Sequence, residues 1–190
     1  MSPASTMKRF GSKGWQKAMQ LHTAAAADLV RTAEAIPSER WHTPRAPGKW
    51  TPAEIVAHLI LAYEVLLREL RGGGGMALRT TWWQRLLLHF TVRRRILGGR
   101  GFPEGARAPR EVRPGGTALA QTDAIGRLRA LAAEFEAATE AARVERPRAR
   151  LTHAYFGGSP LEEALRFCAR HLHHHQQQLQ SLTIEGGRPR

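Results

Sequence analysis

The chain has 190 residues, a formal net charge of +13 and an apolar fraction of 42%, which is enough for one hydrophobic core. Its one cysteine, Cys168, excludes an intramolecular disulfide framework and a cysteine-rich zinc module. Because no apolar run reaches the roughly 18 residues of a membrane span and the N-terminus lacks an apolar leader, we expect a cytoplasmic protein without a transmembrane segment.

Proline and glycine residues divide the chain into five segments with helical periodicity. Four of them are long, and they are predicted to form helices at 15–36, 52–71, 117–142 and 160–182. A shorter helix is predicted at 80–97, inside a basic insert that spans 77–116. No segment alternates apolar and polar residues as a surface strand does. The sequence therefore predicts an all-α domain over 15–183, with flexible tails at 1–14 and 184–190.

Two of the predicted helices begin with the same signature, a hydroxyl residue followed by Pro, any residue and Glu. It occurs at 51–54 (TPAE) and at 159–162 (SPLE). The hydroxyl can cap a free backbone N–H group, proline suits the first helical position, and the glutamate can reach back to the cap residue. We therefore interpret Glu54 and Glu162 as capping residues, and the caps fix the directions of the side chains that follow.

Three histidines fall on the apolar sides of these two helices. At about 100° per residue, His58 lies at the edge of the apolar stripe of the 52–71 helix. His175 completes the stripe of the 160–182 helix, and His171 lies one turn before it on the border of the same face. Imidazoles at i and i+4 can bind one metal ion, and a third from another helix leaves a coordination position open. The pattern indicates a site for zinc, nickel or iron; the alternative is three hydrogen-bonded core histidines.

The neighbours of these histidines have simpler interpretations. His173 and His174 are predicted to point away, towards solvent or another helix, and Gln178 is a candidate hydrogen-bond partner of a metal ligand. Cys168 is interpreted as a small core residue, with a thiolate ligand as the lesser alternative. His153 would reach the site if its loop folded over it, but a loop-capping role is favoured. Surface or helix-edge positions are predicted for His22, His42 and His89, and core or cap-packing positions for Trp15, Trp41 and Trp50.

Two groups of motifs occur in a fixed order along the chain. The first group is Trp50-Thr51, Glu54-Ile55 and His58-Leu59, and the second is His171-x3-His175-x2-Gln178-Leu179. In this order they resemble the DinB-like (DinB/YfiT) superfamily, over about residues 15–182. The segment 153–157 (HAYFG) and the basic stretch Arg93–Arg95 are similar to one branch of it, with Ala154 where that branch usually has proline.

The resemblance implies a four-helix bundle that binds a divalent metal near one end through His58, His171 and His175. Zinc or nickel is the first expectation, and iron or manganese the alternative. Relatives include transferases that use low-molecular-weight thiols, a maleylpyruvate isomerase and hydrolases, so the family does not settle the reaction. It implies a metal-dependent hydrolase or thiol transferase that acts on a small molecule or thiol, forms a homodimer and has no assigned catalytic residue.

Two other classes of function remain open. One is a metal-binding or dimerising scaffold without turnover. The other is a binder of nucleic acid or an anionic surface, because residues 77–115 carry nine Arg against two Glu, interleaved with Trp82, Trp83 and Phe90. The favoured interpretation of this insert is a helix that covers the bundle, with its aromatic side chains buried and its arginines, Arg93–Arg95 among them, in solvent.

Overall fold

Six helices and one short hairpin make up the structure, a computed structural model that describes residues 4–103, 105, 107–115 and 119–184. The helices are α1 (Ala4–Glu34), α2 (Pro52–Leu70), α3 (Trp82–Leu88), α4 (Arg94–Leu97), α5 (Gln121–Glu145) and α6 (Leu161–Ile184). A π-helical turn, His89–Arg93, joins α3 to α4, and 3-10 turns lie at Ser38–Arg40 and Arg110–Val112. The strands are β1 (Arg150–His153) and β2 (Gly157–Pro160).

The four long helices form a bundle, as predicted. Helix α1 packs against α5 and α6, and α2 packs against α5, whereas α2 and α6 contact each other only slightly. The largest fully buried side chains join the four helices and the loop after α1: Leu29, Trp41, Leu59, Phe135, Leu165 and Leu179. The weakly packed pair, α2 and α6, is the pair that carries the three histidines.

The first predicted cap is present and fixes the start of α2. The Thr51 hydroxyl oxygen accepts a hydrogen bond from the Glu54 backbone N–H at 3.1 Å, and the Glu54 carboxylate accepts one from the Thr51 N–H at 2.8 Å. Such a cap contributes about 1 kcal/mol to helix stability. Because α2 begins at Pro52, His58 is held on the side of α2 that faces α6.

The second predicted cap, formed by Ser159 and Glu162, is wrong, because both side chains bind other partners. Ser159 belongs to β2, and its hydroxyl oxygen accepts a hydrogen bond from Arg93 at 2.9 Å. Glu162 forms an ion pair with Arg166 one turn along α6, at 2.9 Å. Helix α6 nevertheless begins at Leu161, one residue from its predicted start, so the predicted directions of its side chains hold.

The hairpin before α6 was not predicted, because its strands are only four residues long and β2 reads Gly-Gly-Ser-Pro. The strands pair antiparallel, with Leu151 opposite Ser159. Gly157 has a φ of 74°, and a Cβ atom there would also lie 3.3 Å from the Arg85 side chain. Thr152 donates from its N–H and its hydroxyl to Glu69, at 2.8 and 2.6 Å, and so fastens the hairpin to α2.

The basic insert contains the helix predicted at 80–97, which begins at Trp82 in the structure, but the exposure of its side chains is opposite to the favoured interpretation. Trp82, Trp83 and Phe90 are exposed, whereas Arg93 is buried. Arg93 forms an ion pair with Glu163 of α6 at 2.6 Å and donates a hydrogen bond to His89 at 2.7 Å. The prediction that the aromatic side chains are buried and Arg93 is in solvent is therefore wrong.

Helix boundaries differ from the prediction mainly at the N-terminus. Helix α1 begins at Ala4, so residues 4–14, expected to belong to a tail, are helical. The predicted start of α5 at 117 lies outside the described residues, as does the predicted tail at 184–190 apart from Ile184. Within the described ranges, no helix combines the length and apolar character needed to cross a bilayer.

Candidate metal centre

Three imidazoles meet where α2 and α6 face each other. The Nε2 atom of His171 lies 3.1 Å from Nε2 of His58 and 3.0 Å from Nε2 of His175. His58 and His175 are buried and His171 is half-buried. One ligand atom from each of the three lies within 4.8 Å of the others. The structure thus brings together the three histidines that the sequence selected.

Hydrogen bonds on the far side of two rings set their orientation. The Nδ1–H of His58 donates to the Val112 carbonyl oxygen at 2.6 Å, and the Nδ1–H of His175 donates to the Gln178 side-chain oxygen at 2.8 Å. A neutral imidazole that carries its proton on Nδ1 has a lone pair on Nε2. Both rings therefore turn an Nε2 lone pair towards His171, which is the orientation that a metal ligand needs.

The three facing nitrogens favour a cation between them. Nε2 of His171 can carry one proton at most, so it cannot donate to both neighbours. In at least one of the two contacts, nitrogen lone pairs therefore face each other at about 3 Å. A tetrahedral zinc site with Zn–N bonds of about 2.0–2.1 Å sets its nitrogens about 3.3 Å apart. The donor type and the spacing therefore fit a divalent metal ion.

Burial also keeps the three rings unprotonated. It lowers the pKa of His58, and it lowers those of His171 and His175 well below their ordinary value. Repulsion between neighbouring imidazoles lowers the pKa values of His171 and His175 further, while the bonds to Val112 and Gln178 partly oppose the shifts. Neutral imidazole is the form that binds a metal ion, so these surroundings favour a metal over a proton.

The cluster opens into a cavity of about 1180 Å³ between α2, α6, the insert and the hairpin. Aromatic rings form much of its wall. Trp50 packs against His58, with ring centres 5.0 Å apart, and Phe102 packs against His171 and His174 at 5.5 and 4.9 Å. The other aromatic side chains of the wall are Tyr155, Phe156 and Phe167. Trp50 packs against the core, as expected, and is also part of the site.

The charged side chains that line the cavity are all basic among the described residues. They are Arg45, Lys49, Arg93, Arg107 and Arg113. Arg93 is neutralised by Glu163, and the other four are exposed. Part of the excess charge of the chain therefore surrounds this cavity and favours anionic ligands.

His153 both caps its loop and lines the cavity. Its Nδ1 accepts a hydrogen bond from the Tyr155 N–H at 3.2 Å, and its ring stacks on Phe156 with centres 4.6 Å apart. Burial, and to a lesser extent the charge of Arg93, lowers the pKa of His153 to about 4. The ring is therefore neutral at ordinary pH, with its proton on Nε2 available for donation.

The structure shows where the other residues predicted to lie near the site are. Gln178 contacts a candidate ligand, as expected, and His173 is exposed. His174 does not point away from the site, because it lines the cavity and accepts a hydrogen bond from Gln178 at 3.0 Å. Cys168 lies outside the histidine cluster, and burial raises the pKa of its thiol to about 12, so a core thiol is the better description.

One prediction about an isolated histidine is wrong. His22, expected at the surface or at a helix edge, is fully buried between α1, α2 and α5. It contacts the Glu136 carboxylate at 2.7 Å through Nδ1 and the Tyr63 hydroxyl at 2.8 Å through Nε2. Its partners are 114 and 41 residues away along the chain, so local spacing carried no signal for them.

Comparisons with known proteins agree with this architecture. The sequence profile of the DinB superfamily matches residues 21–179. Among solved structures, the chain is similar to YfiT from Bacillus subtilis, which is described as a probable metal-dependent hydrolase with an unusual four-helix bundle topology. The two are 15% identical with a TM-score of 0.57, over 92% of this chain and 89% of that chain, and this likeness shows the fold alone. No curated protein matches the sequence.

Proposed function

The chain belongs to the DinB superfamily, and from that premise we propose that it is a metal-dependent enzyme, a hydrolase in the first instance, with a divalent cation on His58, His171 and His175. The observation that carries the proposal is the meeting of three Nε2 atoms at the wall of a cavity large enough for a substrate. Zinc and nickel suit a site of three imidazoles without a thiolate. Iron and manganese are the alternatives.

A bound divalent cation would supply Lewis-acid activation of a water molecule or of a substrate oxygen. The residues of this chain would orient the substrate and exclude bulk water. His153 would donate a hydrogen bond from Nε2 to a substrate acceptor, because its Nδ1 is held by Tyr155. Trp50 and Phe102 would cover the rings of the ligands and limit access of water to them.

The walls of the cavity favour a substrate that joins an apolar body to a negative charge. Its aromatic side chains would cover the body, and Arg45, Lys49 and Arg113 at the cavity wall would attract the charge. No carboxylate lines the cavity in the part of the chain that the structure describes, so none there would repel an anion or act as a general base.

A thiol-dependent transfer reaction is the second candidate, and the cavity volume favours it. At about 1180 Å³ the cavity exceeds the roughly 300–1,000 Å³ of a typical small-molecule site, so a thiol and an acceptor could bind side by side. A non-catalytic metal-binding scaffold makes no use of such a volume.

Elemental analysis of the purified, untagged protein is the first test, followed by removal of the metal and reloading with zinc or nickel. The reloaded protein would be assayed with neutral and carboxylate-bearing aryl esters, and for conjugation of a small thiol to an electrophilic acceptor. H175A should lose both the metal and the activity, whereas H173A, which alters an exposed histidine of the same helix, should keep both.

The outcomes separate the candidates. A wild-type chain that cannot be loaded with any divalent metal would contradict the metal centre. A loaded chain that is inactive in both assays would favour the scaffold. Activity only in the presence of a thiol would favour the transferase over the hydrolase.

A further inference from the structure

Most of the large apolar side chains that are exposed in the described residues lie on the outward side of the insert helix or just before it. Nine such side chains are exposed in the described part of the chain, and six of them lie between residues 78 and 90. We call these six the apolar face: Leu78, Trp82, Trp83, Leu86, Leu87 and Phe90. Contiguous apolar surface of this kind marks an interaction site on a soluble domain.

Five of the six residues of the apolar face lie on α3 and the π-helical turn that follows it, and Leu78 precedes α3. The Thr81 side chain caps α3 together with Gln84, and the apolar residues then recur at 82, 86 and 90 and at 83 and 87. At 100° per residue the four of them within α3 cover an arc of about 140°. The rings of Trp82 and Trp83 stack with centres 3.9 Å apart.

The apolar face is not part of the packing between the insert helix and the bundle. The inward side of the same helix already supplies Leu88, Val92 and Ile96 to the cavity wall. Trp83 and Leu87 are each 64% exposed, and Trp82 is 58% exposed. The outward residues therefore contribute little to the core and are available to a partner.

The arginines beside the apolar face favour a partner that carries negative charge. Residues 77–100 contain six arginines and no Asp or Glu. Arg93 is neutralised by Glu163, but Arg94 and Arg95 are exposed and have no ion pair among the described residues. A second copy would bring another chain with a net charge of +13 against these arginines, and like charges on both partners oppose association.

We propose that the apolar face docks the protein on an anionic lipid surface. The tryptophan, leucine and phenylalanine side chains would enter the boundary between headgroups and acyl chains, and Arg94 and Arg95 would contact lipid phosphates. A nucleic acid would satisfy the arginines but leave Leu86 and Leu87 in water. The inference does not rest on the metal centre, and a dimer formed through another face is compatible with it.

Co-sedimentation with vesicles tests the proposal. The full chain is mixed with vesicles of phosphatidylcholine alone and of equimolar phosphatidylcholine and phosphatidylglycerol. We expect binding to the anionic vesicles only, with a blue shift of tryptophan fluorescence and weakening at high salt. A chain that stays in the supernatant with both kinds of vesicle would overturn the proposal.

Variants identify the face responsible. W83S/L87S should weaken vesicle binding at least about tenfold, because two large apolar side chains no longer enter the lipid. R94Q/R95Q should weaken binding to anionic vesicles as well. The matched control is L21S/V144S, which removes two exposed apolar side chains outside the insert and should bind as the wild type does. Circular dichroism verifies that each variant is folded.

Two outcomes would assign the apolar face to a different partner and overturn the lipid proposal. The first is a dimer in sedimentation velocity that W83S/L87S dissociates, which would make a second copy the occupant. The second is binding to vesicles and to DNA alike that depends on Arg94 and Arg95 but survives W83S/L87S, which would indicate simple attraction of polyanions.

Discussion

His58 and His171 are 113 residues apart in the chain, yet their Nε2 atoms lie 3.1 Å from each other. They meet at a point where α2 and α6 otherwise make few contacts. Two imidazole nitrogens held at this distance are stabilised by a proton or a metal ion between them. A proton on His171 Nε2 can serve only one of its two neighbours, so it is the three nitrogens together, with two of the rings oriented by hydrogen bonds at Nδ1, that fit a divalent metal ion.

Replacement of one candidate ligand should abolish tight metal binding. In H175A we expect the affinity for zinc, measured by competition with a chromophoric chelator, to fall at least about 100-fold, because loss of an outer partner alone costs about 10–100-fold. The exposed His173 provides the control, and H173A should bind as the wild type does. Stoichiometric, tight zinc in H175A would contradict the assignment of His175.

Gln178 should raise the metal affinity of the site without being a ligand itself. It accepts the Nδ1–H of His175, so Q178A should leave that ring free to rotate and weaken zinc binding by about 10–100-fold while the fold persists. Gln177 is exposed on the same turn, and Q177A is the matched control for helix propensity. Equal zinc affinities of Q178A and Q177A would show that the bond to His175 has no effect on the metal.

The directions of the three histidines could be predicted because a helix start fixes all the side chains after it. Thr51 and Glu54 define the start of α2, and the i, i+4 spacing places His171 and His175 on one face without knowledge of any partner. The helices of the all-α domain follow from the same periodicity, and these inferences survive in the structure because they use only local sequence. The four-helix bundle was implied by the resemblance to the DinB-like superfamily.

Features that depend on distant contacts were not predicted. His22 is buried because Tyr63 and Glu136 satisfy both of its ring nitrogens, and Arg93 is buried because Glu163 neutralises it. No spacing rule connects residues on different helices. For the same reason the apolar side of the insert helix could not be assigned to the core or to solvent: Trp83 has no sequence feature that tells which side meets the bundle.

The ion pair between the buried Arg93 and the partly exposed Glu163 should stabilise the insert. R93M removes the cation and leaves Glu163, which is one-third exposed, without its partner, so we expect a loss of about 2 kcal/mol in the free energy of unfolding. R94M, at the exposed next position, should change it by less than about 0.5 kcal/mol. Urea denaturation measures both. R93M/E163M should recover stability relative to R93M, and a double variant less stable than R93M would contradict the ion-pair explanation.

Ionisation of Glu136 should make the stability of the bundle depend on pH, and a single substitution can test this. Burial acts to raise the pKa of Glu136, but hydrogen bonds from His22 and Thr23 and the attraction of His22 outweigh it, so the pKa lies below its ordinary value of 4.5. A carboxyl group whose pKa is lower in the folded state stabilises the fold above its unfolded pKa. That contribution disappears as the pH falls through the folded pKa.

E136Q keeps the shape of the side chain and removes its charge, so the pH-dependent part of this contribution should vanish. Near neutral pH we expect E136Q to lose about 1 kcal/mol relative to the wild type, because a hydrogen bond to a carboxylate is replaced by one to a neutral amide. In acid, well below pH 4.5, the difference should shrink, since Glu136 is then protonated as well. E134Q, which alters an exposed glutamate paired with Arg71 on the same helix, is the control and should change stability by less than about 0.5 kcal/mol. Urea denaturation at the two pH values decides: a difference between E136Q and wild type that is the same at both would mean that Glu136 does not titrate with folding.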